Sequence, residues 1–473
     1  MRLIAGLDVG TTGCKVTVFS ETGENLGREY RDYPVTRATN AQEVDGEALA
    51  ESVLDAVRAA TERFGFIEAI GVTSFGEAFV ITDGDGKPLR PILLCTDPRG
   101  IDECRAFGDL FGIERATAIT GVKPSESYSL PKLMWIKNNE PEIFAKARYV
   151  MLIEDFVIYL LTNERVIDYS LAARSMAFDI HSLSWSKEIL DAAGIPLEMF
   201  SKPVPTGAIA AMTPDGMKVV AGGHDQVACA VGAGVFDAGI AAEGAGTVEC
   251  ITPVFAEIPQ SSQFQNDNYC IVPYFGKFVT YAYSYTGGEL CRWCRDALCR
   301  RPHSEIEAGP YDGPTGLLVL PHFAGAATPY MDSGSRGAIL GLSLATTDRD
   351  IYLACLEAVA YEMRLNMERL ARSGVVFKRL VATGGGAKSK LWMQIKADVL
   401  GLPFETLETE DAGTVGCAML AGIAAGVFAD IEAAKSIMIK RTGSYEPDME
   451  RHALYNELYS RYERLYEAVR PLM

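Results

Sequence analysis

Three stretches of the chain set chemistry-bearing residues at glycine turns. They are "DVGTTG" at Asp8–Gly13, "AGGHDQ" at Ala221–Gln226 and "EGAGTVE" at Glu243–Glu249. The first and third each lie between two strand-like runs. A strand–turn–strand setting excludes the usual dinucleotide-binding arrangement, which needs strand–turn–helix. It still makes a phosphate cradle. Without Cβ atoms the backbone N–H groups can close on an anion, and the hydroxyls of Thr11, Thr12 and Thr247 add donors. Asp8, at the end of its strand, can hold Mg²⁺ directly or through the ion's waters. One such turn alone is equally a plain hairpin tip. Two matched turns, one per half, point to a nucleotide clamped between halves.

The second stretch runs from a strand into Gly222-Gly223, then His224-Asp225-Gln226 and a helix of small residues. An Asp in this place also serves as a helix N-cap. Two glycines let a substrate approach closely, however. A carboxylate set against a hydroxyl is what phosphoryl transfer to an alcohol needs. His224 reads as a substrate hydrogen-bonder or a packed side chain, since the chain has only 5 His and no second one is near in sequence. "CRWC" at Cys291–Cys294 has the spacing of a metal or redox pair, but it stands alone and reads as half-buried helix.

These turns need elements to hold them. "LIAGLDVG" and "KVTVFSETGENLGREYRDYPV" predict three consecutive antiparallel strands. A helix follows, with Asp45 as cap and Leu49, Val53, Val57, Ala60 and Phe64 at helical spacing. "IEAIGVTS" is a short strand. "EAFVITDGDGKPLRPILLCTD" is expected to be a hairpin with a Gly-Asp-Gly tip, its second arm ending at Asp97. Ser129 to Leu161 is mostly helical in pattern. A second half begins near residue 239 with an apolar strand, a Gly-Thr turn and another strand. It continues with a helix over Asp350 to Arg372 that stops at Gly374. Then come a strand, glycine run and helix in "RLVATGGGAKSKLWMQIKADVLG", and a strand, acidic turn and small-residue helix in "PFETLETEDAGTVGCAMLAGIAAG". Both halves read β-β-β, then alternating α and β.

The chain's 473 residues suit two domains, and the expected boundary is 1–238 and 239–473. Lys and Arg number 44 against 62 Asp and Glu, a net charge of −18. That excludes the basic footprint of a nucleic-acid binder. Apolar stretches are too short and Gly-rich for a membrane span, and the N-terminus does not read as a signal peptide. Eleven scattered cysteines predict no disulfide framework and a cytoplasmic protein.

Together the motifs resemble the FGGY family of carbohydrate kinases, in the actin/hexokinase/heat-shock ATPase superfamily, nearly end to end. "GLDVGTTGCK" resembles the first phosphate loop, "AGGHDQ" the run with the catalytic Asp, and "GAGTVE" the second phosphate loop. "TPYMDSGSRGAILGLSLATTDRDIYLACLEAVAYE" is similar to the C-terminal pattern, with Cys355 where another small or aliphatic residue is usual. "ATGGGAKSKLWMQIKADVLGLP" resembles the adenine-side glycine turn.

The resemblance implies two ribonuclease H-like (actin-like ATPase) α/β domains with a cleft that closes on substrate. It implies ATP and Mg²⁺, Asp225 as general base and Asp8 as the metal-side carboxylate. Thr11, Thr12, Gly246 and Thr247 match phosphate contacts, and Gly288, Gly385, Gly386 and Ser389 the nucleotide wall. It also admits a homodimer.

In the sugar pocket the likeness thins. Xylulokinases show Gln-Met-His and glycerol kinases Gln-Arg-Glu where this chain has Phe75-Gly76-Glu77, nearer the Phe/Trp-Gly-x-Asp run of deoxysugar ketose kinases. The Trp-Asn-Asp of xylulokinases is replaced by Cys95-Thr96-Asp97, followed by Pro98-Arg99. Phe75, Glu77, Asp97, Arg99, His224 and Gln226 are the expected sugar contacts, though Asp97 and Arg99 could equally pair with each other. The expected activity is phosphorylation of a ketopentose such as xylulose or ribulose, or of a ketohexose or deoxyketose. Glycerol or another polyol is the alternative. A third reading is an actin- or chaperone-like ATPase, which would turn over ATP regardless of sugar.

Overall fold

The computed structural model describes residues 1–409 and 411–473. The chain forms two compact units. One comprises Met1–Gly234, Cys270–Val279 and Ala412–Ile439; the other comprises Val235–Tyr269, Thr280–Asp411 and Lys440–Met473.

The first unit is built on a six-stranded sheet. Its order is Ile209–Met212, Lys218–His224, Ala69–Ser74, Leu3–Val9, Gly13–Ser20, Asn25–Asp32. The three inner neighbours run parallel and the outer pairings antiparallel. Side chains alternate between faces along a strand. Leu3, Ala5, Leu7 and Val9 therefore join one core, which also takes Leu49, Val53, Ala56 and Val57 from the helix Gly46–Phe64. Asp45 caps that helix as expected, its Oδ1 accepting the N–H of Glu47 at 2.9 Å and of Ala48 at 3.1 Å.

Gly6 lies on the opposite face, under the helix Ala412–Ala424. A Cβ there would meet the Thr414 carbonyl oxygen at 2.0 Å, and one on Gly71 of the next strand would meet that of Cys417 at 2.3 Å. The helix thus rests directly on backbone. It crosses the helix Asp225–Gly232 as tightly: a Cβ on Gly416 would meet the Ala228 carbonyl oxygen at 2.1 Å. The small-residue run found in the sequence is the contact surface of a close helix crossing.

One expectation fails here. Phe79–Thr82 and the stretch ending at Asp97 are not two arms of a hairpin. Phe79–Thr82 pairs with Tyr149–Leu152, and Ile92–Leu93 pairs with Glu43–Val44. Only a bridge between Thr82 and Pro88 joins the arms. Pro88 and Pro91 have no N–H to donate, so the ladder stops and the arms part. Tyr149–Leu152 is also a strand inside a stretch that reads as mostly helical.

The second unit repeats the sheet plan. Its order is Arg441–Tyr445, Phe404–Leu407, Arg379–Thr383, Ile240–Ala245, Glu249–Phe255, Ala282–Ser284, with the inner pairs parallel and the outer ones antiparallel. The helix Asp348–Arg372 packs into its core behind a capping box made by Thr347 and Asp350. In both units the central strand ends in a Gly-Thr turn. Among the described residues, no helix is long and apolar enough to cross a membrane.

Candidate active site

The Gly222-Gly223 turn is held by buried groups that no glycine motif announces. Gly223 sits at φ 88°, a left-handed backbone that glycine adopts freely. Its N–H donates to Glu154 Oε1 at 2.7 Å, and its carbonyl accepts from Thr73 Oγ1 at 2.6 Å. The next N–H, of His224, donates to Ser170 Oγ at 3.0 Å. Ser170 Oγ in turn donates to Asp168 Oδ1, whose other oxygen accepts from Thr206 Oγ1 at 2.6 Å. Glu154 Oε2 accepts the Asp168 N–H at 2.9 Å, which closes the network. Burial, then the neighbouring Asp168, pushes Glu154 well above the usual carboxylate range.

This scaffold sets the start of the helix Asp225–Gly232. The cap is His224, whose Nδ1 accepts the Gln226 N–H at 3.2 Å. Burial, then Arg174, holds His224 well below its ordinary value, so the ring is neutral. Asp225 is therefore not the capping side chain. Its Oδ1 is enclosed, 3.0 Å from His224 Nδ1, while the side chain as a whole is 36 % exposed. Burial, followed by the charges of Asp8 and Glu77, raises Asp225 to about 7. That suits a group which must both take and release a proton near neutral pH.

Asp8 ends its strand 3.1 Å from Lys15 Nζ. The turn beyond it closes through Gly10 N–H to the Gly13 carbonyl at 2.9 Å, and Tyr33 Oη donates to the Gly10 carbonyl. Thr11 is half-buried and Thr12 exposed at its tip.

Glu77 lies at φ 64°, its carbonyl accepting from Ser129 Oγ at 2.7 Å. Its Oε1 is 2.7 Å from Arg174 Nε, and Arg174 in turn lies over the Tyr128 ring. Gly76 backs this pair, for a Cβ there would meet His224 Nε2 at 2.5 Å. Phe75 is buried in the apolar core. Asp97 and Arg99 pair with each other, Arg99 Nε donating to Asp97 Oδ1 at 2.7 Å. Asp97 also accepts the Gln42 N–H at 2.7 Å, and Arg99 reaches Glu43 at 2.6 Å. Burial works against the Asp97 charge, yet Arg99 and these N–H donors hold it below its ordinary value. Glu154, Asp168, Ser170 and Arg174 escaped the sequence reading because they lie in helical or strand pattern, where nothing marks a polar residue as buried.

In the second unit Gly246, Thr247 and Val248 form an exposed tip. The start of the helix Gly288–Cys294 is hydrogen-bonded to it. Gly288 N–H donates to the Gly246 carbonyl at 2.8 Å and Gly287 N–H to that of Thr247 at 2.9 Å. The Gly385-Gly386 turn lies against the same strand, since a Cβ on Gly386 would meet that of Ala245 at 3.0 Å. Ser389 caps the helix Lys390–Leu400 through the Trp392 N–H and donates to Glu307 at 2.8 Å.

Comparison with known proteins shows which family the chain belongs to. The family model for the N-terminal domain of FGGY carbohydrate kinases matches residues 3–242, and that for the C-terminal domain matches residues 290–425. A xylulose kinase of Staphylococcus epidermidis is 28 % identical over 100 % of this chain and 98 % of its own. A glycerol kinase of Geobacillus sp. (strain WCH70) is 31 % identical over 99 % of both. Among solved structures, a "xyloylose kinase" from Brucella ovis superposes with a TM-score of 0.91 at 25 % identity, covering 100 % of each chain. The chain belongs to the FGGY family of carbohydrate kinases and is a phosphotransferase that acts on a sugar.

Proposed function

We propose that the chain moves the γ-phosphoryl group of ATP to a hydroxyl of a ketose, with a ketopentose such as xylulose or ribulose ahead of ketohexoses and deoxyketoses. The observation that carries the reading is Asp225, raised to about 7 on a turn fixed by Glu154, Thr73 and Ser170. Asp225 takes the hydroxyl proton as the sugar oxygen attacks the γ-phosphorus. The bond from that phosphorus to the β,γ-bridging oxygen breaks, and ADP leaves. Glu77 and Arg174 offer an acceptor and donors for sugar hydroxyls, and His224 and Gln226 flank the base. Thr11, Thr12, Gly246 and Thr247 take the phosphates; Gly288, Gly385, Gly386 and Ser389 wall the nucleotide.

Asp8 is one half-exposed carboxylate, and no group of three or more metal-ligating side chains occurs among the described residues. That donor set fits Mg²⁺, which keeps several waters and binds through one or two carboxylates plus substrate phosphates. Asp8 would hold it, and the ion supplies charge neutralisation on the phosphates when bound. The 11 cysteines form no disulfide, which suits a reducing compartment such as the cytoplasm.

Similarity to both a xylulose kinase and a glycerol kinase makes the acceptor the point to test. ADP release should be measured over ketopentoses, ketohexoses, deoxyketoses, tetritols and glycerol. A ketose should give the highest kcat/KM. Glycerol ahead by more than about tenfold, already the discrimination that a methylene-sized pocket difference supplies, would overturn the ketose assignment.

A further inference from the structure

The turn Gly244–Val248 is flanked by two glutamates that the proposed mechanism does not use. Glu243 precedes the turn and Glu249 follows it, on adjacent antiparallel strands. Glu243 faces Ile251 and Ala245 faces Glu249, so the two acids are diagonal neighbours on one face of the sheet. That face is covered by the helix Lys390–Leu400. From it Lys396 extends its ammonium to 2.7 Å from Glu243 and 2.5 Å from Glu249. All three side chains are at most 1 % exposed, and the ammonium also lies 4.1 Å over the Trp392 ring. Burying a lysine is costly unless it is paired, and here one cation serves both feet of the turn. An apolar core would pack the helix on the sheet equally well, but only a shared ion pair ties the two strand ends to one point.

We infer that Lys396, Glu243 and Glu249 form a buried clamp that positions the Gly246–Val248 tip as a phosphate site, Lys396 acting as a positioning residue. The clamp fixes where the tip's backbone N–H groups point. Gly287 and Gly288 bind the tip carbonyls from outside, and Lys396 holds the feet from inside. Burial, opposed by Lys396 and reinforced by Glu243, raises Glu249 well above the usual range. The kinetic consequence rests on the proposed reading of this turn as an ATP phosphate site. The mechanical consequence does not.

Two variants test the clamp. Lys396→Met alone leaves two buried acids without a cation and is expected to lose stability. Lys396→Met/Glu243→Gln/Glu249→Gln removes the charges together, and such replacements commonly keep the fold. In the folded triple variant, without any ligand, the amides of Gly244–Val248 should exchange hydrogen at least ~10-fold faster than in the wild type. KM for ATP should rise ~10-fold or more while KM for the sugar stays within about twofold, the mark of a displaced phosphate site and an intact sugar site. A cooperatively folded triple variant whose turn exchange and KM for ATP both stay within about twofold of wild type overturns the clamp. The exchange measurement needs no substrate and decides the clamp by itself. A wild-type protein that turns over ATP without regard to any sugar would instead overturn the kinase reading.

Discussion

At the residue scale the proposed chemistry rests on Asp225, and two outcomes follow from its surroundings. Asp225→Ala removes the proposed proton acceptor and leaves the proposed phosphate turns in place. Loss of general-base assistance is worth ~10²–10⁴-fold, so kcat should fall by at least ~10²-fold. ATP affinity should stay within a few-fold, because the proposed nucleotide contacts lie on other residues. Thermal stability should hold as well, since His224, not Asp225, caps the helix. A folded variant that keeps more than about a tenth of wild-type kcat, against that floor, would remove Asp225 from the mechanism. The same residue sets a pH profile. The base works when deprotonated, and burial with Asp8 and Glu77 holds it at about 7. kcat/KM for the sugar should therefore climb with pH through about 7 and level off above it. A flat profile from pH 5.5 to 8.5, read against that value, would place the proton elsewhere.

Elements decide whether that residue is in position. The helix that begins with Asp225 is held by a backbone-to-backbone crossing with the helix Ala412–Ala424. Gly416→Ala would drive a methyl to 2.1 Å from the Ala228 carbonyl oxygen, so the two helices must separate. Overpacking of this kind costs about 1–3 kcal/mol, visible as a lower urea midpoint at unchanged slope. kcat should fall too, because Asp225 rides on the displaced helix. Gly84→Ala is the control: it meets open space and should leave both quantities unchanged. An unaltered midpoint for Gly416→Ala would mean that the crossing yields without strain. The parted Phe79–Thr82 and Ile92–Leu93 strands belong to this scale as well. Their apolar runs are legible, but nothing in either run names its partner across the sheet.

The whole molecule carries a store of buried acids that shapes its response to pH. Burial first, with Asp168 second, raises Glu154; burial raises Asp155 and Glu249 well above the usual range; burial raises Glu357 to about 8. With Asp225 at about 7, the folded chain holds protons that the unfolded chain gives up near pH 4. For such groups the stabilisation is complete below the unfolded value and is lost as pH rises through the folded one. The net charge of −18 adds self-repulsion in the same direction. Tm should therefore fall between pH 6 and pH 8.5 by at least ~3 °C. A Tm that rises over this interval would mean that these acids are already ionised in the native state.

The sequence alone determined the fold class, the strand–turn–strand character of both Gly-Thr turns and the place of Asp225 between a glycine turn and a helix. These are local matters: periodicity, glycine and caps act within a few residues, so neighbouring letters reveal them. Asp45 as cap and the helix ending before Gly374 were legible for the same reason. Only the tertiary structure decided what lies behind the turns. Glu154 reaches Gly223 across 69 positions, and Lys396 reaches Glu249 across 147. In sequence each is one more charged residue in an amphipathic pattern, which ordinary surface preference assigns to solvent. Burial turns it into a directional tie, and burial is a property of the packed chain rather than of any stretch of it. The sheet partner of Phe79–Thr82 and the seating of Ala412–Ala424 beside strands that begin at Leu3 have the same origin. They are set by which apolar surfaces meet when the whole core closes.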